Sequence, residues 1–136
     1  MKFHLVTLFP EFFPGPLACG LMGKAVERGL VEYSLVNPRD FTRDRHRSVD
    51  DRPFGGGPGM VMTLDPLLRS VQSIENPGRI LILSPDGRPF DHNLALELSR
   101  EQVLTLICGR YEGIDARFPD FIPAEAVSLG NFVLNG

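Results

Sequence analysis

Residues 79–108, RILILSPDGRPFDHNLALELSREQVLTLIC, decide the fold. Arg79–Leu83 is a continuous apolar run of the kind buried on both faces in a parallel sheet. Ser84-Pro85-Asp86-Gly87 reads as a turn. Asp91 is placed to cap a helix running to about Arg100, with Leu94, Ala95 and Leu98 on one side. Val103–Cys108 is a second strand of the buried type. A strand, a helix and a strand joined by short connections form a βαβ unit with parallel strands.

The same alternation continues outward. Lys2–Leu8 is a β-rich apolar run that stops at Phe9-Pro10. Leu17–Arg28 carries Leu17, Leu21, Met22, Ala25 and Val26 at helical spacing, with Gly29 as C-cap. Val31–Val36 reads as a strand closed by Asn37-Pro38. After a long polar stretch, Asp65 is expected to cap a helix with Pro66 at its first position, ending near Glu75 before Asn76-Pro77-Gly78. Downstream come the loop GRYEGID, a short irregular piece and a last strand at Ala126–Leu129. The expectation is an α/β fold, a mostly parallel open sheet with helices on both faces. Ligands bind outside the carboxyl ends of such strands. The turns Ser84–Gly87, Gly109–Gly113 and Gly130–Gly136 all follow strands and so converge on one edge.

The 136 residues suffice for one modest α/β domain. At 43% hydrophobic and 23% charged, the chain is globular rather than disordered. No apolar run reaches the ~18 residues of a membrane span. The N-terminus lacks the basic flank and small-residue cleavage site of a secretion signal. Two cysteines support neither a disulfide framework nor a four-ligand metal site. A reduced cytoplasmic protein with no metal is expected. The net charge of −3 excludes a wholly basic nucleic-acid binder but not a local basic patch.

Such a patch exists at residues 39–52, where Arg39, Arg43, Arg45, Arg47, Arg52 and His46 outnumber four aspartates. The stretch reads either as a solvated, internally paired loop or as a phosphate- and base-facing loop. It runs into Phe54-Gly55-Gly56-Gly57-Pro58-Gly59-Met60. The spacing fits neither a dinucleotide fingerprint nor a phosphate loop. It leaves a flexible linker or a backbone that approaches a flat ligand closely. In Cys108-Gly109-Arg110-Tyr111-Glu112-Gly113-Ile114-Asp115, Glu112 stands between glycines just after a buried strand and reads either as an ordinary exposed turn acid or as an acceptor for a base edge or a cationic ligand. Cys108 ends an apolar strand and reads as core. Ser128–Gly136 can offer backbone groups to an adenine. No Ser/His/Asp arrangement appears, and the absent fingerprint disfavours a nicotinamide-dependent dehydrogenase.

Taken together, RPFGGGPGM (52–60), LSPDGR (83–88), CGRYEGIDAR (108–117) and SLGNFVLNG (128–136) resemble the ordered motif set of the bacterial tRNA (guanine-N1)-methyltransferases, and FHLVTLFPEFF fits as well. The resemblance covers essentially the whole chain. It implies the SPOUT fold with a deep trefoil knot, the cofactor S-adenosyl-L-methionine, a tRNA substrate methylated at the guanosine 3′ of the anticodon, and a homodimer with its active site between subunits. Carried over by position, it implies cofactor contacts at Leu83, Ser84, Pro85, Gly109, Tyr111, Gly113, Ser128, Leu129, Gly130, Phe132, Leu134 and Gly136. It implies a catalytic-site role for Glu112 near the methionine moiety and the target base. RNA contacts are expected at Arg43, Arg45, Arg47, Arg52, Gly55, Gly56, Gly57 and Gly59.

The chain departs from the family in two respects. Asn131 and Phe132 stand where members often carry aspartate and tyrosine. The family's general base, its partnering arginine and a C-terminal tRNA-gripping domain lie beyond the position of Gly136. Residues 1–136 are therefore expected to be a truncated SPOUT domain. The alternative is a catalytically incomplete fragment that binds cofactor or RNA, or that dimerises.

Overall fold

The computed structural model describes residues 1–133, so Leu134 and Gly136 of the expected cofactor set lie outside the described residues. Five parallel strands form the main sheet: β1 (Lys2–Val6), β2 (Glu32–Val36), β5 (Arg79–Pro89), β6 (Val103–Ile107) and β7 (Glu125–Ser128). They lie in the order β2-β1-β6-β5-β7. A separate antiparallel pair joins β3 (Asp50–Asp51) to β4 (Val61–Met62). The helices are α1 (Pro14–Leu17), α2 (Gly20–Glu27), α3 (Leu64–Gln72), α4 (His92–Leu98) and α5 (Phe118–Phe121).

The strand alternation sorts the apolar residues onto two faces. Val6, Ile80, Ile82 and Ile107 pack with Leu67 and Val71 of α3, Phe118 of α5, and Val49 and Met62 beside the β3–β4 pair. Leu81, Leu104 and Val127 pack on the opposite side with Leu94 and Leu98 of α4. The expected helix-covered parallel sheet is therefore present. From β1 the chain leaves toward β2, whereas from β6 it leaves toward β7. The carboxyl ends of adjacent β1 and β6 thus flank a topological switch point, the usual crevice for a ligand.

Several local expectations hold. Asp91 caps α4, its carboxylate accepting from Leu94 N–H at 2.8 Å. Gly29 ends α2 at φ +67°, with Leu30 N–H bonding back to Ala25 C=O at 2.9 Å.

Others change. The helix read over Leu17–Arg28 breaks at Ala18–Cys19, and a Cβ on Gly23 would lie 2.6 Å from the Ala18 carbonyl carbon, so the two short helices meet closely. Its apolar stripe is not core, since Leu21 is 85% exposed. Thr63, not Asp65, is the N-cap of α3.

The strand read as stopping at Leu83 continues to Pro89. Leu83 and Arg88 both pair with Val127, so Ser84–Gly87 form an excursion within one long strand rather than a turn that ends it. Gly87 permits this. A Cβ there would sit 2.6 Å from the Ala126 carbonyl oxygen.

Candidate functional site

The glycine-rich segment is not a linker. It lies in the tip, residues 52–60, of a hairpin that starts at the end of the polar stretch, with Asp50 opposite Met62. Buried Val49 and Met62 seat its base in the core. The hairpin is bonded along its second leg to the loop after β6. Glu112 N–H donates to Met60 C=O at 2.9 Å, Met62 N–H to Gly113 C=O at 2.9 Å, and Asp115 N–H to Met62 C=O at 3.0 Å. Two motifs that are some fifty residues apart in sequence thus form one backbone ladder at the carboxyl end of the sheet.

Gly59 sits where that ladder closes. Its φ is +76°, and a Cβ would fall against Glu112 Cγ, 2.7 Å from Oε1 and 2.9 Å from Cδ. The Glu112 side chain therefore lies directly over the glycine backbone. Its carboxylate has no hydrogen-bond or ion-pair partner among the described residues and faces solvent. The neighbouring acid is different. Asp115 accepts from Arg117 Nη2 at 2.6 Å and Nε at 2.9 Å, which holds its carboxyl below the usual carboxylate range. Of the two, Glu112 alone is free to meet a ligand. Tyr111, immediately before it, has φ +59°. A non-glycine residue held there costs about 1–3 kcal/mol, strain of the kind that collects at functional sites.

The remaining cofactor candidates line the adjoining strand ends. Leu83 ends the first run of β5, Gly109 lies just beyond β6, and Ser128 ends β7 with Leu129 and Gly130 following it. A Cβ at Gly109 would meet only Leu83 O at 3.7 Å and Ile114 Cγ2 at 3.9 Å. Packing does not demand glycine at 109, so its smallness serves the open space in front of it. Leu83 and Leu129 leave apolar surface beside that space. Backbone groups and apolar faces are the donor set an adenine nucleoside needs, and these residues fit one. Ser84 and Pro85 stand in the β5 excursion. The Ser128 hydroxyl is engaged by Gly130, donating to its carbonyl at 3.0 Å and accepting from its N–H at 3.2 Å, so Ser128 shapes the turn. Phe132 folds back over Gly130, its N–H bonding Gly130 C=O at 2.8 Å.

The arginines separate into two groups. Arg47, at φ +54°, donates from Nε to Arg39 C=O at 3.2 Å and pairs with Asp40, so it braces its own loop. Arg43, Arg45 and Arg52 make no ion pair among the described residues. Gly55, Gly56 and Gly57 occupy positive φ at the hairpin tip, with open space at the first two.

Sequence reasoning missed Phe9. Its ring lies under the Arg110 guanidinium, 4.7 Å from carbon to centroid, across the β1–β6 crevice. The only signal was its place directly after the first strand. Burial pushes the Cys108 thiol up to about 11, which suits core rather than a nucleophile. No metal-binding cluster of His, Cys, Asp or Glu occurs among the described residues. A cleft of about 310 Å³ opens at the opposite, amino edge of the sheet, lined by Lys2, His4, Ser34, Glu75 and Asn76. It lies away from every strand-end turn. No helix among the described residues is long and apolar enough to cross a membrane.

The chain is 65% identical over its full length to a tRNA (guanine-N(1)-)-methyltransferase of Oleidesulfovibrio alaskensis and 60% identical to one of Nitratidesulfovibrio vulgaris, covering 32% of each. It is 48% identical to that of Aromatoleum aromaticum, with 99% of the chain matching 54% of that protein. The chain thus spans between a third and about half of these relatives. The family model described as tRNA (Guanine-1)-methyltransferase TrmD matches residues 1–136. On a match that takes in every motif of the strand-end site, the chain belongs to the tRNA (guanine-1)-methyltransferase family.

Proposed function

We propose that this chain forms the cofactor- and base-holding part of an S-adenosyl-L-methionine-dependent enzyme that methylates N1 of the guanosine 3′ of a tRNA anticodon in the cytoplasm. The observation that carries the reading is the ladder between the glycine-rich hairpin and the Glu112 loop, which sets an unpartnered carboxylate at the sheet edge. The reading takes residues 1–136 as the leading part of a SPOUT domain. It includes the family's trefoil knot and a homodimer whose active site lies between subunits.

When bound, S-adenosylmethionine supplies an electrophilic methyl group on a sulfonium. Leu83, Gly109, Leu129 and Gly130 would hold its adenine at the strand ends, with Ser84, Pro85, Tyr111, Gly113, Ser128 and Phe132 around it. Guanine N1 carries a proton that must leave as the N1–methyl bond forms. The Glu112 carboxylate accepts a hydrogen bond from guanine N2–H and orients the base, leaving N1 open to the proton acceptor and then to the methyl group. Removal of that proton is assigned, by the family resemblance, to a base outside these residues. Glu112 therefore holds the base in the correct orientation. Arg43, Arg45 and Arg52 meet the RNA backbone, while Arg47 keeps their loop in shape.

Calorimetric titration with S-adenosylmethionine tests the cofactor assignment. Saturable binding is expected for the wild-type chain and its loss for Gly109→Trp, which fills the open space with an indole. Equal binding by both would overturn it. The second reading, a catalytically incomplete binding or dimerisation fragment, draws on the one-third coverage of the relatives. It is distinguished by turnover. The isolated chain is expected to bind cofactor without methylating tRNA, and full-rate methylation by it would refute the incompleteness.

A further inference from the structure

Phe54 is an aromatic with nothing to pack against. Its relative exposure is 108%, fully solvent-facing, whereas Phe118 is completely buried. The backbone holds it there. Gly56 N–H donates to Pro53 C=O at 3.1 Å and Gly55 has φ +89°, so residues 53–56 form a type II turn with Phe54 at its leading corner. No atom comes within 4 Å of a Cβ placed at Gly55 or Gly56, which leaves the space beside the ring open. The other leg of this hairpin is bonded to the Glu112 loop through Met60 and Met62. The ring therefore sits on an arm whose position is fixed relative to the free carboxylate.

The surroundings identify the occupant. Arg52, Pro53 and Gly55–Gly57 flank the ring, so it is a lone aromatic rather than part of a contiguous apolar patch of the kind that docks proteins. Arg43, Arg45 and Arg52 of the same segment have no acidic partner among the described residues. An isolated exposed ring two residues from unpaired Arg52, in a segment that also carries unpaired Arg43 and Arg45, matches the way single-stranded nucleic acid is gripped, with bases stacked on the ring and cations tracking the phosphates.

We propose that Phe54 is a stacking platform for an unpaired RNA base neighbouring the one held at Glu112. The inference rests on the RNA-methyltransferase reading and adds to it a contact that grips splayed, unpaired RNA without reading its sequence. Every base offers a π-face, so the contact selects for unstacked structure.

The chain contains no tryptophan, so Phe54→Trp installs a single indole at the tip. The variant is titrated with an RNA stem-loop carrying unpaired purines and with a blunt duplex of equal length. Wild type, Phe54→Ala, Phe54→Leu and Phe54→Tyr are titrated in parallel by filter binding. Quenching by the stem-loop and not by the duplex is expected. Phe54→Ala and Phe54→Leu are expected to weaken stem-loop binding about tenfold, and Phe54→Tyr by no more than about twofold. Unchanged affinity in Phe54→Ala, or equal quenching by the duplex, would overturn the stacking role while leaving the RNA reading in place. So would a blue shift that grows with protein concentration before any RNA is added, because it would assign the ring to a second copy of the chain. Failure of wild type to bind the stem-loop would remove both.

Discussion

Gly59→Ala tests whether the hairpin sets the Glu112 side chain. The substitution has two separable costs. Alanine at φ +76° pays the left-handed penalty, about 1–2 kcal/mol. Its Cβ also lies 2.9 Å from Glu112 Cδ and 2.7 Å from Oε1, where ordinary contact begins at 3.4 Å. Glu112 must leave its rotamer, adding about 0.5–1.5 kcal/mol. Gly56→Ala isolates the first cost, because φ there is +87° and nothing lies within 4 Å. At roughly 3–4 °C per kcal/mol for a domain of this size, Gly56→Ala should lower Tm by about 3–8 °C and Gly59→Ala by about 5–14 °C. In a Glu112→Ala background the collision vanishes, and the two glycine substitutions should cost the same. Thermal unfolding followed by circular dichroism measures all of these variants. If Gly59→Ala is no worse than Gly56→Ala, or keeps its excess cost when Glu112 is alanine, the glycine does not position the carboxylate.

Three further outcomes are expected. Burial, with the nearby Lys2 charge, lowers the His4 pKa against the opposing pull of the Asn76 carbonyl at 3.1 Å, while the Ser34 hydroxyl lies 2.6 Å from Nδ1. The unfolded ring binds a proton more readily than the folded one, so this contribution is present above about pH 6.5 and is lost as pH falls toward the lowered value. Tm should drop between pH 7.5 and 5.5 by more in wild type than in His4→Gln, and parallel profiles would refute it. Cys108, pushed up to about 11, holds roughly a thousandth of its sulfur as thiolate at pH 8. Iodoacetamide should label exposed Cys19 in the native chain and reach Cys108 only on unfolding, as read by peptide mass. Arg79 joins Glu97 at 2.6 Å and also pairs with Glu125, while Arg88 reaches Glu97 at 3.2 Å, tying β5 to α4 and β7. Arg79→Met should lower Tm and reduce its dependence on salt, and an unchanged salt slope would mean that the network contributes little.

The fold was legible wherever burial wrote a periodic signature. RILIL after its arginine, and VLTLIC apart from Thr105, are apolar because both faces of their strands are covered, and Asp91 announces its helix by a local hydrogen bond. The hairpin was not legible. Its strands are two residues each, and the information that seats it lies in Val49 and Met62, which meet the core only through long-range packing. The strand reaching Pro89 was missed for a similar reason. Ser-Pro-Asp-Gly is turn chemistry, and only pairing of both flanks with Val127 makes it an excursion within a strand. At the site, motif resemblance named Glu112 and the glycines. The division of labour among the arginines came from contacts that sequence spacing does not encode. Arg47 braces its own loop, whereas Arg43 and Arg45 remain unengaged among the described residues.

The ladder between Met62 and Ile114 also orders events in time. Its partners are 114 − 62 = 52 residues apart, and the loop that carries Ile114 is placed by β6, which pairs with β1 at the opposite end of the chain. The two halves of the site meet once β6 has joined the sheet, and they are held together by a few backbone hydrogen bonds that run from buried Met62 out to exposed Glu112. Those bonds should also open first, so amide protons at Met62, Glu112 and Asp115 should exchange with solvent well before those of β1 and β6. Local opening of that ladder would part the hairpin from Glu112 while leaving the sheet intact, so the site can come apart without the molecule unfolding.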